Sequence, residues 1–264
     1  MCDDTAEHRG TTALITGASS GLGAALARQL ADRGANLVLV ARRRDRLDET
    51  AEELRRAGVD VMVYDRDLAR PRAGAALTEQ LAADGIQVDT LVNSAGVGTH
   101  GDFATAEPDA VAAEVQLNVV SLVDLTRALL PQMLHSGRGA LVNVASTSGY
   151  QPTPSMAVYG ASKAFVLSFT EALAYENRHS GLRILVVSPG PMHTEFFDVL
   201  GTTRPGVGRW QTPEQVAAHT LRALDQRSVP PSTISGTLNA LPVFAARFSP
   251  RRVVSAVTAK AIGA

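Results

Sequence analysis

Cysteine is nearly absent from this 264-residue chain, Cys2 being the only one. That excludes an intrachain disulfide and a cysteine-built metal cluster. Lysine is almost as scarce: of 25 cationic side chains only Lys163 and Lys260 are lysines, and the rest are arginines. A surplus of either charge is missing too. A formal net charge of −1 argues against a nucleic-acid partner held by electrostatics. No run approaches the roughly 20 apolar residues of a membrane span, and the opening MCDDTAEHRG lacks the basic-then-apolar pattern of a secretory leader. A soluble, cytoplasmic domain is expected. What is present is ordinary globular material, 45% hydrophobic and 19% charged, with enough apolar content for a core.

Order along the chain is regular. Apolar, β-branched runs fall at 12–16, 36–41, 59–64, 88–93, 139–146 and 182–188. Between them lie helical patterns stopped by Gly34, Gly58 and Gly181, and longer ones over about 109–136 and 155–180. Such alternation predicts βαβ units, hence a single α/β domain of Rossmann type, a doubly wound parallel sheet with helices on both faces. Thr212, Pro213 and Glu214 form a helix start. Residues 1–10 read as a flexible tail, 195–212 as a substrate loop with a mobile stretch at 201–210, and 228–236 as the place for a poor last strand. The apolar and basic extension 237–264 reads as a lid or an oligomer contact, with weak membrane-surface association as the alternative; Pro242 and Pro250 are expected to break any long helix there.

In open α/β sheets ligands sit beyond the carboxyl ends of the strands, so the residues after each strand carry the functional reading. The first strand runs into TGASSGLG, where Gly17, Ser19, Ser20, Gly21, Leu22 and Gly23 form a turn able to bring backbone amides against a pyrophosphate. After the second come Arg42, Arg43 and Arg44 in place of the acid that a ribose 2′-hydroxyl would want. A guanidinium suits a 2′-phosphate, so NADP(H) is expected over NAD(H), with Arg42 as its partner. Asp67 and Leu68 follow the third strand, and Asn93, Ser94, Ala95 and Gly96 the fourth. Ser146 ends the fifth. The sixth opens into Pro189, Gly190, Pro191, Met192, His193 and Thr194, which could present Thr194 to a carboxamide. Each of these also has an ordinary reading as a turn or a packed side chain. His100, His193 and His219 are not spaced like ligands, and no metal is expected.

Taken together, TGASSGLG, Asp67-Leu68, NSAG, Asn118, Ser146, YGASK (159–163) and PGPMHT resemble the classical short-chain dehydrogenase/reductase family over about residues 12–225. Ser94 stands where that family usually has a second asparagine, and the tail lacks its frequent Gly-Gly strand end. The resemblance implies a catalytic set of Asn118, Ser146, Tyr159 and Lys163. Ser146 would hydrogen-bond a substrate carbonyl and Tyr159 would exchange its proton. Lys163 would bind the nicotinamide ribose, and Asn118 would position a water leading to Lys163. It also implies a homodimer or homotetramer built on the two long helices, where Gly160, Ala164 and Ser168 would allow close approach. The pair Tyr159 and Lys163, four apart on a helix, shares a face. Bringing a phenol from about 10 toward 7 requires about 3–4 kcal/mol of preference for phenolate, which the Lys163 ammonium and a nicotinamide cation are expected to supply. Val97, Ser146, Tyr150, Met156, Met192, Phe196 and Phe197 are the expected substrate contacts. An apolar set of this kind suits a hydrophobic or acyl-chain ketone. The expected activity is carbonyl reduction by NADPH; oxidation of an alcohol, or a non-catalytic NADPH-binding module, is the alternative.

Overall fold

The computed structural model describes residues 8–263; Cys2 and most of the expected tail lie outside the described residues. The end of that tail is not loose, since His8 is buried and its carbonyl accepts from the Thr11 hydroxyl at 2.6 Å. Seven strands form one sheet: β1 (Thr12–Thr16), β2 (Asn36–Ala41), β3 (Val61–Asp65), β4 (Thr90–Asn93), β5 (Ala140–Val144), β6 (Arg183–Ser188) and β7 (Ser232–Ile234). The order is β3-β2-β1-β4-β5-β6-β7, with every pair parallel.

Alternation along the strands divides the core. Ile15, Leu37, Leu39, Val142 and Leu185 face one side, where Leu26 and Leu30 of α1 (Gly21–Asp32), Leu47 and Leu54 of α2 (Arg44–Arg55) and Val216 and Leu221 of α8 (Pro213–Leu224) pack. Leu14, Val38, Val40 and Leu141 face the other, against Leu77 and Leu81 of α3 (Ala73–Ala83) and Leu125, Leu129 and Met133 of α5 (Ser121–Ser136). Both faces are covered, which is why the strands read as continuous apolar runs. The Thr212 start of α8 is a complete capping box with Gln215.

The long helix expected at 109–136 is α4 (Pro108–Val115), a π turn at Gln116–Val120, then α5. The π turn holds Asn118. α6 (Ala157–Glu176) is shorter than the expected 155–180. Segment 195–212 is not all loop: α7 (Glu195–Leu200) occupies its first half. The tail forms α9 (Thr237–Arg247) and α10 (Arg251–Ile262). Pro250 separates them as expected, but Pro242 lies inside α9. The hydrogen bond it forfeits is to the carbonyl of Leu238, on the exposed side of the helix. Gly160 does not offer a free face either. A Cβ there would stand 2.8 Å from Thr153 Oγ1 of the chain's own 147–156 segment.

Candidate active site

The strand order reverses between β1 and β4, and a cavity of about 350 Å³ opens beyond their carboxyl ends. The Thr16 hydroxyl ties the two ends, accepting from Ser94 N and Ala95 N at 3.0 Å each. Gly17 (φ 69°) comes so close that a Cβ on it would stand 3.0 Å from Ala95 N; only glycine fits both the conformation and the contact. The chain then enters α1 at Gly21. Ser20 precedes it without capping it, and the first turn carries no acid. The free N–H groups of that turn and the positive end of the helix dipole face the cavity with Ser19, Ser20, Leu22 and Gly23. This cradle fits a dinucleotide's pyrophosphate.

All three arginines after β2 are exposed. Arg42 and Arg43 both line the cavity, but it is Arg43 that reaches over the glycine turn. Its Nη2 donates to Ser19 Oγ at 3.3 Å, Ser20 Oγ at 3.2 Å and Glu195 Oε2 at 2.7 Å. That pair holds the Glu195 carboxyl below its ordinary range. Arg44 turns away to Asp48 and Asp65.

Ser146, Tyr159 and Lys163 come together at the other end of the cavity. Ser146 lies two residues past β5 in extended backbone, and its Oγ accepts from Ser148 N at 3.1 Å. This turn is pressed onto α6: a Cβ on Gly149 would lie 2.8 Å from the Lys163 carbonyl. The packing sets the Ser146 hydroxyl beside the Tyr159 phenol, where it favours the phenolate. Lys163 is 5% exposed; its Nζ donates to Val144 O at 2.9 Å and lies 5.7 Å from the Tyr159 ring centre. Burial pushes Tyr159 up to about 12, with Ser146 pulling the other way and Glu114 adding to the rise. Burial pulls Lys163 down to about 8 against the pull of Glu114. In the protein's own field the phenol therefore moves opposite to the expected direction. The ammonium is itself desolvated, and the hydrogen bond it makes goes to Val144 O.

Glu114 was not legible as a site residue. It is fully buried on α4; Oε2 accepts from Thr99 N at 3.0 Å and Thr99 Oγ1 at 2.7 Å, while Oε1 has no partner. Burial raises its pKa, with the Thr99 hydrogen bonds and the Lys163 charge opposing. A helix of mixed polarity with one glutamate gave no sequence signal that this one points inward.

Three expected contacts lie off the cavity. Asn93 is buried beneath it, donating to Thr126 Oγ1 at 3.1 Å and Asn143 Oδ1 at 2.9 Å, and so joins β4 to β5 and α5. Asn118 sits behind Gly96 and Val97; Oδ1 accepts from Val97 N at 3.0 Å, and Nδ2 donates to Val97 O at 2.8 Å and Ser162 Oγ at 3.1 Å. Its side chain clamps the β4–α4 loop. The Tyr150 hydroxyl turns to Ser188 Oγ at 3.5 Å. Asp67, Leu68, Ala95, Gly96, Val97, Met156, Pro189, Gly190, Met192, Thr194, Phe196 and Phe197 all line the cavity, though Asp67 Oδ1 also accepts from Ala69 N at 3.1 Å.

An aromatic row closes the apolar end. Ring centres run Tyr159–Phe196 at 5.3 Å, Phe196–Phe197 at 5.4 Å, Phe197–Trp210 at 4.7 Å and Trp210–His193 at 4.9 Å. The stretch 201–210, expected to be mobile, is thus pinned by Trp210 and by buried Asn239 of α9. Asn239 Oδ1 accepts from Arg209 N at 2.8 Å, and its Nδ2 faces Arg209 O at 3.1 Å.

A family model described as short chain dehydrogenase matches residues 11–205. Sulfoacetaldehyde reductase 2 of Chromohalobacter salexigens is 42% identical over 69% of this chain and 73% of its own. Ketoacyl reductase HetN of a Nostoc species is 31% identical over 92% of this chain and 87% of its own. A dehydrogenase of Sphingobium yanoikuyae solved in complex with NADPH superposes with a TM-score of 0.80 at 35% identity, covering 90% of this chain and 92% of that one.

Proposed function

We propose a function from a firm premise: the chain belongs to the short-chain dehydrogenase family and is an NAD(P)-dependent oxidoreductase. Our reading is that it reduces a hydrophobic ketone, such as a 3-oxoacyl group, with NADPH. The observation that carries it is the meeting of Ser146, Tyr159 and Lys163 at one end of a cavity whose other end is the α1 cradle. NADPH supplies the hydride when bound. Gly17, Gly21 and Gly23 would let backbone amides hold the pyrophosphate, and Arg43, exchanging Glu195 for it, would hold the 2′-phosphate. The Ser146 hydroxyl donates to the carbonyl oxygen as negative charge develops there, and the Tyr159 O–H delivers the proton to that oxygen. Lys163 holds a positive charge behind the phenol and donates to ribose hydroxyls.

Val97, Met156, Met192, Phe196 and Phe197 give the substrate an apolar wall, which favours an acyl or cyclic ketone over a sugar. NADPH in the Sphingobium neighbour and ketoacyl reduction by the Nostoc relative support the cofactor and the substrate class. Among the described residues no helix is long and apolar enough to cross a membrane, and we read the enzyme as cytoplasmic. We also read it as a homodimer or homotetramer, on exposed Val115, Val120 and Phe165 of the α4–α6 side. The test is loss of NADPH absorbance over a panel of β-keto esters, thioesters, cyclic ketones and aldehydes, with Tyr159→Phe beside wild type. Turnover that falls at least about a hundredfold in the variant supports the reading. NADPH binding without turnover of any panel member favours the non-catalytic module.

A further inference from the structure

The tail divides by charge from the rest of the chain. All 26 acidic residues precede position 226, whereas 226–264 holds Arg227, Arg247, Arg251, Arg252 and Lys260 and no acid. Within that tail, α9 and α10 each have two apolar aspects. The inner one seats them on the domain: Asn239 and Val243 of α9, and Val254, Thr258 and Ile262 of α10, are buried. The outer one is not needed for that seating. Leu238, Leu241, Phe244, Phe248, Val253 and Val257 are each 52–73% exposed, with the Phe244 and Phe248 rings in edge contact at 5.1 Å.

On α9 the positions 238, 241, 244 and 248 fall on one helical stripe, as do 253 and 257 on α10. Arg247, Arg251, Arg252 and Lys260 flank these stripes and are exposed. Among the described residues no ion pair reaches any of the four. Exposed apolar stripes of this kind mark a contact site.

We propose that the outer face of α9 and α10 docks the enzyme on an anionic lipid bilayer surface, the apolar stripe entering the acyl boundary and the arginines meeting the headgroups. Charge decides between the occupants. A second copy meeting this face with its own would bring together two patches that hold cations and no acid, a like-charge contact. The helices do not close over the cleft as a lid either, because their large apolar side chains point outward. An anionic bilayer satisfies both halves of the surface: apolar area is buried and each nearby cation is attracted. Such docking also holds the pocket mouth near the bilayer, since Asn239 of α9 grips Arg209 in the segment that carries Trp210.

The experiment is co-sedimentation of the full chain with large vesicles of phosphatidylcholine alone or with about one-third phosphatidylglycerol. Binding is expected to the mixed vesicles and not to phosphatidylcholine, weakening as salt rises. Each neutralised arginine should weaken partition about fivefold. The triple variant Arg247→Gln, Arg251→Gln, Arg252→Gln should therefore lose more than fiftyfold, and Phe244→Ser with Phe248→Ser should also release the protein. All these positions are exposed, so unchanged melting temperature and NADPH affinity establish that the variants fold. No binding to phosphatidylglycerol vesicles overturns the proposal, as does binding that the triple variant leaves unchanged. A Phe244→Ser, Phe248→Ser variant that lowers the oligomeric state in solution overturns it in favour of a contact between copies.

Discussion

Arginine 43 gives the sharpest test of how this chain would select its cofactor. In the structure its guanidinium spans Ser19, Ser20 and Glu195, while neighbouring Arg42 makes no comparable contact. Meeting a 2′-phosphate with charge-assisted hydrogen bonds is worth about 1.5–3 kcal/mol. The exchange costs the Arg43–Glu195 pair, whose side chains are 43% and 44% exposed, and such a pair is worth only about 0–1 kcal/mol. The net gain is then about 0.5–3 kcal/mol, or roughly 2- to 150-fold in affinity. Arg43→Ala should weaken NADPH by that factor in a fluorescence titration and leave NADH unchanged. Glu195→Gln, which removes the competitor, should tighten NADPH by up to about fivefold. The reasoning fails if Arg42→Ala takes the larger loss, or if Arg43→Ala weakens both cofactors equally.

Glu114→Gln removes the buried carboxylate that raises Lys163. The alkaline limb of kcat/KM for reduction should therefore move down from near 8 by about one unit; an unmoved limb would mean that Glu114 is already neutral there. Gly149→Ala puts a Cβ 2.8 Å from the Lys163 carbonyl, where backbone must shift. Overpacking of this kind costs about 1–3 kcal/mol, so Tm should fall by roughly 2–10 °C. Because the same shift separates Ser146 from Tyr159, kcat should fall more than KM rises.

The sheet was readable because both its faces are buried, so that each strand is an apolar run bounded by glycine. The cradle, Ser146, Tyr159 and Lys163 were readable because they follow strands in a fixed order. What failed had weaker local signals. Asn93 carries the same sequence mark as a cavity residue, yet its side chain points between β4 and β5 and not beyond them. Arg42 lines the cavity as expected, and only the path of the chain decides that its neighbour Arg43 crosses the glycines. Trp210 lies in a stretch whose glycines and proline read as mobile. It is fixed by Phe197 and His193 from one side and by the Asn239 clamp from another, contacts with no local pattern. Pro242 shows the limit of a breaker rule when the forfeited carbonyl lies on a helix's exposed side.

The scarcity of lysine bears on the direction of the reaction. Lys163 Nζ is enclosed by Val144 O at 2.9 Å, the Tyr159 ring, and Gly96, on which a Cβ would stand 3.3 Å away. A planar guanidinium would not fit that space and could not lose its proton, whereas an ammonium pulled down to about 8 can. Tyr159, pushed up to about 12, keeps its proton at every working pH. For reduction that is an advantage, because a developing alkoxide is a stronger base than phenolate and takes the proton downhill. For oxidation it is a handicap, because the same burial disfavours the phenolate needed as base. The two directions should therefore answer pH differently. Reduction should stay flat up to about 8 and fall above it as Lys163 discharges, while alcohol oxidation should rise about tenfold per pH unit over the same range until the same discharge flattens it. Parallel profiles for the two directions would mean that the protein's own field does not set the protonation of Tyr159 during turnover.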